Sequence, residues 1–295
     1  MRKEIVLPCV AAGAGAAGFL LRRWELATAF EPDTGLVTPG MPATYALLAL
    51  SAALAIVLII LCRGKHNSLP GGYDQAFDAK GSTPYITAAV ASAFLLLGAS
   101  LLLFAGLPGD YREAVATVLS GQSGSPMFTV MPRALLALLA LISFFCLLST
   151  AKNNYRGECR GRYSFTILIP AYTCCLWLIA AYQQRAADPV ILDYFYELIA
   201  IIASLLGLYF TAGFSFERAK VFRASFFSLL GVYFSIVTLA DEHELAMVLL
   251  YLFAIVYLIT STCVLLHNAS RPEGAWKPQP PAGTDETETE GTQDA

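Results

Sequence analysis

Eight apolar runs, each about as long as a bilayer is thick, constrain this chain more than any other feature. A helix needs about 20 mainly apolar residues to cross the hydrocarbon core of a membrane. Such runs lie at about 4–22, 43–62, 85–106, 132–150, 164–183, 189–212, 217–239 and 244–266. Of the 295 residues, 57% are hydrophobic and only 14% are charged, whereas soluble domains carry about 25% charge. We predict an all-α polytopic membrane helix bundle of about eight transmembrane helices.

Lysines and arginines predict the orientation of this bundle. When the N-terminus is placed inside, 14 of the 19 basic residues fall in inner segments and 5 in outer segments. Cytoplasmic segments are enriched in Lys and Arg, so both termini are predicted to lie in the cytoplasm. The five outer bases are Arg22, Arg23, Arg112, Arg133 and Arg185.

The domain organisation follows from the same runs. Residues 1–270 are predicted to form the transmembrane bundle, and 271–295 a disordered acidic cytoplasmic tail that has almost nothing to bury.

Residues from Asp110 onward predict a short amphipathic helix on the outer surface. First helical positions are predicted at Pro42, Pro84, Pro132 and Pro189, with Asp188 as an N-cap, and Asp241 and Glu244 have capping-box spacing.

The first run carries small residues at helical spacing. Gly13, Gly15 and Gly18 are predicted helix-packing positions, because small residues let another membrane helix approach closely. Two alternatives stay open: packing inside the bundle, and the face of a homo- or hetero-oligomer.

The sixth run contains two carboxylates on one helix face. Asp193 and Glu197 are four residues apart, with Tyr196 beside them. If the helix begins near Pro189, Glu197 lies about 12 Å along it, below the headgroups. Charged residues at such depth usually face a protein interior or a wet cavity. The functional hypothesis is a site for a cation, a proton or a basic ligand; the structural alternative is an interfacial Asp193 and a Glu197 that bonds a neighbouring helix.

Polar residues on flanking runs are the predicted neighbours of Glu197. They are Tyr172, Thr173, Gln183, Gln184, Tyr233, Ser235 and Tyr251. The predicted outer face carries 11 acids against 5 bases, so it should attract cations. The segment from Trp24 to Leu36, with a turn at Pro32 and Gly35, is predicted either as a simple reversal or as a cap over the outer mouth of the bundle.

The sequence contains no motif that indicates catalysis, metal binding or nucleic-acid binding. Seven scattered cysteines do not form a disulfide framework, and no catalytic residue, cofactor or metal site is predicted. A net charge of −3 does not suggest a nucleic-acid partner; the lipid bilayer is the predicted one. The sequence favours a small-molecule or ion transporter, or a ligand sensor, with an outward-facing acidic pocket. The alternative is a membrane-embedded scaffold or assembly subunit of a larger complex, and a membrane enzyme ranks last.

Residues 23–36 also carry a resemblance. The stretch from Arg23-Trp24 through Phe30-Glu31-Pro32-Asp33 to Leu36 resembles a segment of uncharacterised multi-pass membrane proteins of anaerobic bacteria. It covers about a twentieth of the chain. The resemblance implies a bacterial cytoplasmic membrane and implies no activity.

Overall fold

The computed structural model describes residues 3–31, 36–63, 69–120, 125–157, 164–185, 190–216, 218, 220–272 and 276. These residues confirm the predicted all-α membrane bundle, and eight of their helices are long and apolar enough to cross a membrane. The helices are α1 (Lys3–Thr28), α2 (Pro42–Cys62), α3 (Gly72–Ala76), α4 (Thr83–Leu119), α5 (Pro126–Arg156), α6 (Ser164–Arg185), α7 (Ile191–Ala212), α8 (Val221–Thr238) and α9 (Leu245–Ala269), with a 3-10 turn at Gly213–Phe216.

Prolines mark some of these helix starts. Pro42 is the first residue of α2, and Pro84 lies in the first turn of α4. Pro132 lies inside α5, which begins six residues earlier at Pro126. The predicted start at Pro132 is therefore wrong. The first turn of a helix tolerates proline because its N–H groups have no intrahelical acceptors, and the sequence alone did not show that Pro126 rather than Pro132 occupies that turn. The predicted start at Pro189, its cap at Asp188 and most of the tail 271–295 lie outside the described residues.

The predicted surface helix after residue 110 is wrong as a separate element. Residues 110–119 continue α4, which runs through Pro108 without ending. A proline inside a helix removes one backbone hydrogen bond and bends it. Here the far end of α4 is held by packing, because Arg133 of α5 pairs with Asp110 across 3.0 Å and Ala114 is buried.

Six helices form a closed ring. Each of α4, α5, α6, α7, α8 and α9 packs on its neighbour in the chain, and α9 packs back on α4. Outside the ring, α1 packs on α8 and α9, and α2 packs on α1 and α8. As a result α8 is the most enclosed of the eight candidate spans, and α1 and α2 are the most exposed.

The outer surface of the bundle is apolar along the length of its helices. Large exposed side chains include Leu20, Leu48, Ile60, Phe94 and Phe145. In water such a surface would drive aggregation, whereas in a bilayer it faces hydrocarbon. Long helices that follow one another in the chain run antiparallel, so one end of the bundle, called here the Arg22 end, gathers the ends of α1, α4, α6 and α8 and the starts of α2, α5, α7 and α9.

The opposite end of the bundle is closed by α3. The amide of Asn268 donates to the carbonyls of Ala76 and Asp78 at 3.0 and 2.9 Å. Asn154 donates to the hydroxyls of Tyr85 and Tyr73 at 2.9 and 3.3 Å. These bonds hold the segment between α2 and α4 against the ends of α5 and α9.

Two of the three predicted packing glycines of α1 contact α8. A Cβ at Gly18 would lie 2.7 Å from Val237 Cγ2, and a Cβ at Gly15 would lie 2.8 Å from Ile236 Cδ1. A Cβ at Gly13 would meet no atom within 4 Å. Gly15 and Gly18 therefore serve a contact within the chain, and Gly13 faces away from it.

Substitution of these glycines tests the contact. Gly18→Leu should lower the free energy of unfolding by about 1–3 kcal/mol, because an overfilled interface must shift its neighbours. Gly13→Leu is the matched control: it gains the same helix propensity on the same helix, and it should not lower stability. Thermal unfolding in detergent measures both, and equal loss in the two variants would contradict the described packing.

Candidate functional site

A buried arginine organises the Arg22 end. Arg22 lies on the last two turns of α1 and its side chain is 0% exposed. Its Nε donates to Asp241 Oδ1 at 2.7 Å, and Nη1 donates to Glu25 Oε2 at 2.8 Å. Nη2 donates to the carbonyl of Asp193 at 2.8 Å. The guanidinium thus ties α1 to the start of α7 and to the α8–α9 connection.

Aromatic rings close the remaining faces of this guanidinium. Its central carbon lies 5.1 Å from the ring of Tyr196 and 5.9 Å from the ring of Phe30. Phe30 pairs with Val37 in an antiparallel bridge, so the chain after α1 reverses over Arg22. This supports the cap hypothesis for the first loop; the turn at Pro32 and Gly35 lies outside the described residues.

Asp241 has a different role from the one its spacing predicted. It does not cap α9, whose N-cap is Glu244 without a side-chain cap bond. Its carboxylate instead accepts from Arg22 and, at 3.1 Å, from the hydroxyl of Thr238. Burial raises the pKa of Asp241, and the charge of Arg22 opposes that rise. The pairing with Arg22 therefore favours the ionised carboxylate in a place that otherwise penalises it.

The two predicted site carboxylates share a second arginine. Arg185 Nη1 donates to Asp193 Oδ2 at 3.3 Å, and Arg185 Nε lies 3.5 Å from Glu197 Oε2. The second contact is an ion pair without hydrogen-bond geometry, so Glu197 Oε2 accepts no hydrogen bond from the described residues. The side chain of Glu197 is 7% exposed and that of Asp193 is 36% exposed. Glu197 is the buried member of the pair, and Asp193 lies at its edge.

His243 and Tyr251 lie within electrostatic reach of Glu197. Glu197 interacts electrostatically with His243 and Asp241, and its charge also acts on Tyr251. The ring of Tyr251 lies 5.1 Å from His243 and 4.7 Å from Trp177. The under-bonded carboxylate of Glu197 is therefore influenced by a histidine and a tyrosine that pack on each other.

These residues form one charged group, called here the ionic cluster. It holds two guanidiniums and four carboxylates, so carboxylates are in excess. Its members are Arg22, Glu25, Arg185, Asp193, Glu197 and Asp241.

The structure places most of the other predicted neighbours of Glu197 elsewhere, and Ser235 is buried. Thr173 pairs with Ser143 at 2.7 Å, and the hydroxyl of Tyr233 pairs with Ser51 at 2.8 Å. Tyr172 is exposed. Gln183 and Gln184 line a separate cavity of about 280 Å³, with Asp110, Glu113 and Arg133 across it. Tyr196 packs on Arg22 instead of joining the carboxylate pair.

The residue that the sequence analysis missed is Arg22. It was counted among the bases of the outer segment because the first predicted span ends at about residue 22, whereas α1 continues to Thr28. The spacing of Arg22 and Glu25, one helical turn apart, is a local signal that could have extended the helix. No local signal pointed to Asp241. Within the described part of the chain, no group of three or more His, Cys, Asp or Glu side chains could hold a metal ion.

Removal of the buried arginine tests the cluster. Arg22→Met should lower the free energy of unfolding by about 3–5 kcal/mol, since it leaves buried carboxylates without their partner. Arg23→Met, at the exposed neighbouring position, is the control and should change stability by about 0.5 kcal/mol or less. Adding Glu25→Gln and Asp241→Asn to Arg22→Met should recover much of the loss in thermal unfolding. No recovery would contradict the ionic origin of the effect.

The same variant has a defined pH dependence. Because its folded-state pKa is raised, Asp241 contributes stability at low pH that is lost as pH rises through that pKa. Without Arg22 this pKa should rise further, so the stability deficit of Arg22→Met should shrink as pH falls from about 7.5 toward about 4.5. Unfolding curves of native and variant protein across this range measure it, and a deficit that grows on acidification would contradict the assignment.

No protein-family model matches the chain, and no curated protein and no solved structure matches it either. The bundle and its ionic cluster are therefore the basis for a functional conclusion. The resemblance of residues 23–36 stays a prediction.

Proposed function

We propose that this membrane protein binds a cation at Glu197 and is a small-molecule or ion transporter or a ligand sensor. The main observation in support is that this carboxylate is 7% exposed and that its ion pair with Arg185 is 3.5 Å long and lacks hydrogen-bond geometry. A buried carboxylate is costly unless it is fully hydrogen-bonded or neutralised. A proton or a cation at Glu197 would remove that cost.

Charge balance in the ionic cluster supports a cation over an anion. Two guanidiniums face four carboxylates. A second oxygen, Glu25 Oε1, is also buried and accepts no hydrogen bond from any described residue. An added positive charge would bring the cluster closer to neutrality, whereas an anion would increase its excess charge.

The loop charges support an outward orientation for this pocket. The Arg22 end gathers the segments that the Lys and Arg distribution assigns to the outside. The pocket would then open to the external solution. The membrane in this proposal is the plasma membrane of a bacterial cell. This orientation is part of the proposal.

The scaffold alternative has less support. Its predicted interface included Gly15 and Gly18, and both contact α8 within the same chain. Gly13 alone faces away from the bundle. An oligomer through α1 would therefore use a surface different from the glycine pair at the α8 contact.

Ligand-induced stabilisation tests the proposal. We expect at least one of H⁺, Na⁺, K⁺ and methylguanidinium to raise the unfolding temperature of the detergent-purified protein in a saturable way, since a ligand at 100 times its Kd adds about 2.7 kcal/mol. Glu197→Gln should abolish that response, because the neutral amide cannot pair with a cation.

A matched control separates the site from surface charge. Glu242→Gln removes an exposed carboxylate at the same end and should leave the half-saturating concentration unchanged. If native protein and Glu197→Gln respond equally to all four cations, Glu197 is not the binding group.

A further inference from the structure

The two arginines of the ionic cluster are held in different ways. Arg22 is 0% exposed, and three of its nitrogens donate hydrogen bonds of 2.7 to 2.8 Å. Arg185 is 31% exposed, and its contacts to Asp193 and Glu197 are 3.3 and 3.5 Å. Charge-assisted bonds between guanidinium and carboxylate are normally about 2.7–2.9 Å. Arg185 is therefore the weakly bound cation of the two.

The position of Arg185 allows it to leave. It is the last residue of α6, and its guanidinium is partly in contact with solvent. Long arginine side chains can turn their charged end into water while the stem stays packed. Arg22 has no such freedom, because the two aromatic rings and the α8–α9 connection enclose it.

We propose that Arg185 is an exchangeable counter-ion that occupies the place of an organic cation, a ligand bearing an ammonium or guanidinium group. On binding, the ligand cation takes the position between Asp193 and Glu197, and Arg185 turns outward. Exchange of one cation for another leaves the charge of the buried site unchanged, so neither carboxylate is left without a partner. This inference rests on the proposed function and adds the ligand class and the competing residue.

The surroundings of Glu197 suit an organic cation. Asp193 and Glu197 lie one helical turn apart on α7, and both carboxylates face the guanidinium of Arg185. A guanidinium already sits at the two carboxylates, so their spacing accepts this geometry.

The surface beside the site also carries an excess of carboxylates. Gln183 and Gln184, the two residues before Arg185, line the separate cavity of about 280 Å³ together with two carboxylates and one guanidinium. Asp193 is partly exposed at the edge of the site. An excess of negative charge near a site raises the local concentration of cations.

Competition between Arg185 and an added cation gives the test. The probe is methylguanidinium, with the neutral isostere methylurea as the ligand control, and the readout is the unfolding temperature of the full-length protein in detergent. We expect saturable stabilisation of the native protein by methylguanidinium only. In Arg185→Gln the half-saturating concentration should fall by about tenfold or more, since the internal competitor is gone.

Matched variants make the result specific. Arg23→Gln removes an exposed arginine at the same end and should respond as the native protein does. Arg185→Gln combined with Glu197→Gln should not respond to methylguanidinium. Arg185→Lys keeps a cation without the guanidinium fork and should give an intermediate half-saturation, which serves as the test if Arg185→Gln does not fold.

Three outcomes would overturn the inference. If half-saturation is the same in native protein and Arg185→Gln yet still needs Glu197, Arg185 does not compete, and the proposed function stands without this inference. If methylguanidinium stabilises Arg185→Gln but never the native protein, Arg185 is a fixed structural partner. If no cation, including H⁺ and Na⁺, gives a response that depends on Glu197, the proposed function itself fails.

Discussion

The structure of the Arg22 end depends on the burial of one guanidinium charge in a lipid-embedded bundle. A charge in that place is tolerated only if anions and acceptors surround it. Arg22 meets this condition with Asp241, Glu25 and the backbone of α7. Because these partners come from α1, α7 and the α8–α9 connection, satisfying a single side chain fixes three parts of the bundle relative to one another. The chain reversal after α1 then covers the same group with Phe30.

The candidate site is a consequence of that arrangement. With Arg22 and Asp241 bound to each other, Glu197 depends on Arg185, whose contacts are longer and partly solvated. The same end of the bundle therefore contains one closely bonded ionic group around Arg22, which stabilises the fold, and one loosely bonded group around Arg185, where we propose that a cation competes. Binding sites commonly retain such incompletely satisfied polar groups at a cost in stability. The opposite end, by contrast, is closed by hydrogen bonds that the side-chain amides of Asn154 and Asn268 donate.

Sequence patterns predicted the elements better than their ends or their partners. Apolar runs located all eight long helices, because the hydrocarbon core sets their length. Pro108 and Pro132 show the limit: the first was expected between two helices and the second at a helix start, yet α4 and α5 run through them. Local rules describe where proline is tolerated, while packing such as the Arg133–Asp110 pair decides whether a helix continues. For the same reason the spacing of Asp241 and Glu244 predicted a cap that tertiary bonding with Arg22 replaced.

The sequence by itself determined that this chain is a membrane helix bundle and that Asp193 and Glu197 share one helix face. Both conclusions follow from short-range periodicity and from the solvent preference of side chains, which need no knowledge of distant residues. Only the tertiary structure decided that Arg22 is buried against Asp241, 219 residues away, and that Arg185 is the cation at Glu197. It also decided that Gly15 and Gly18, but not Gly13, contact α8. Pairings of this kind depend on how the helices rotate and pack against one another. Residues far apart in the sequence carry no local pattern that specifies that packing.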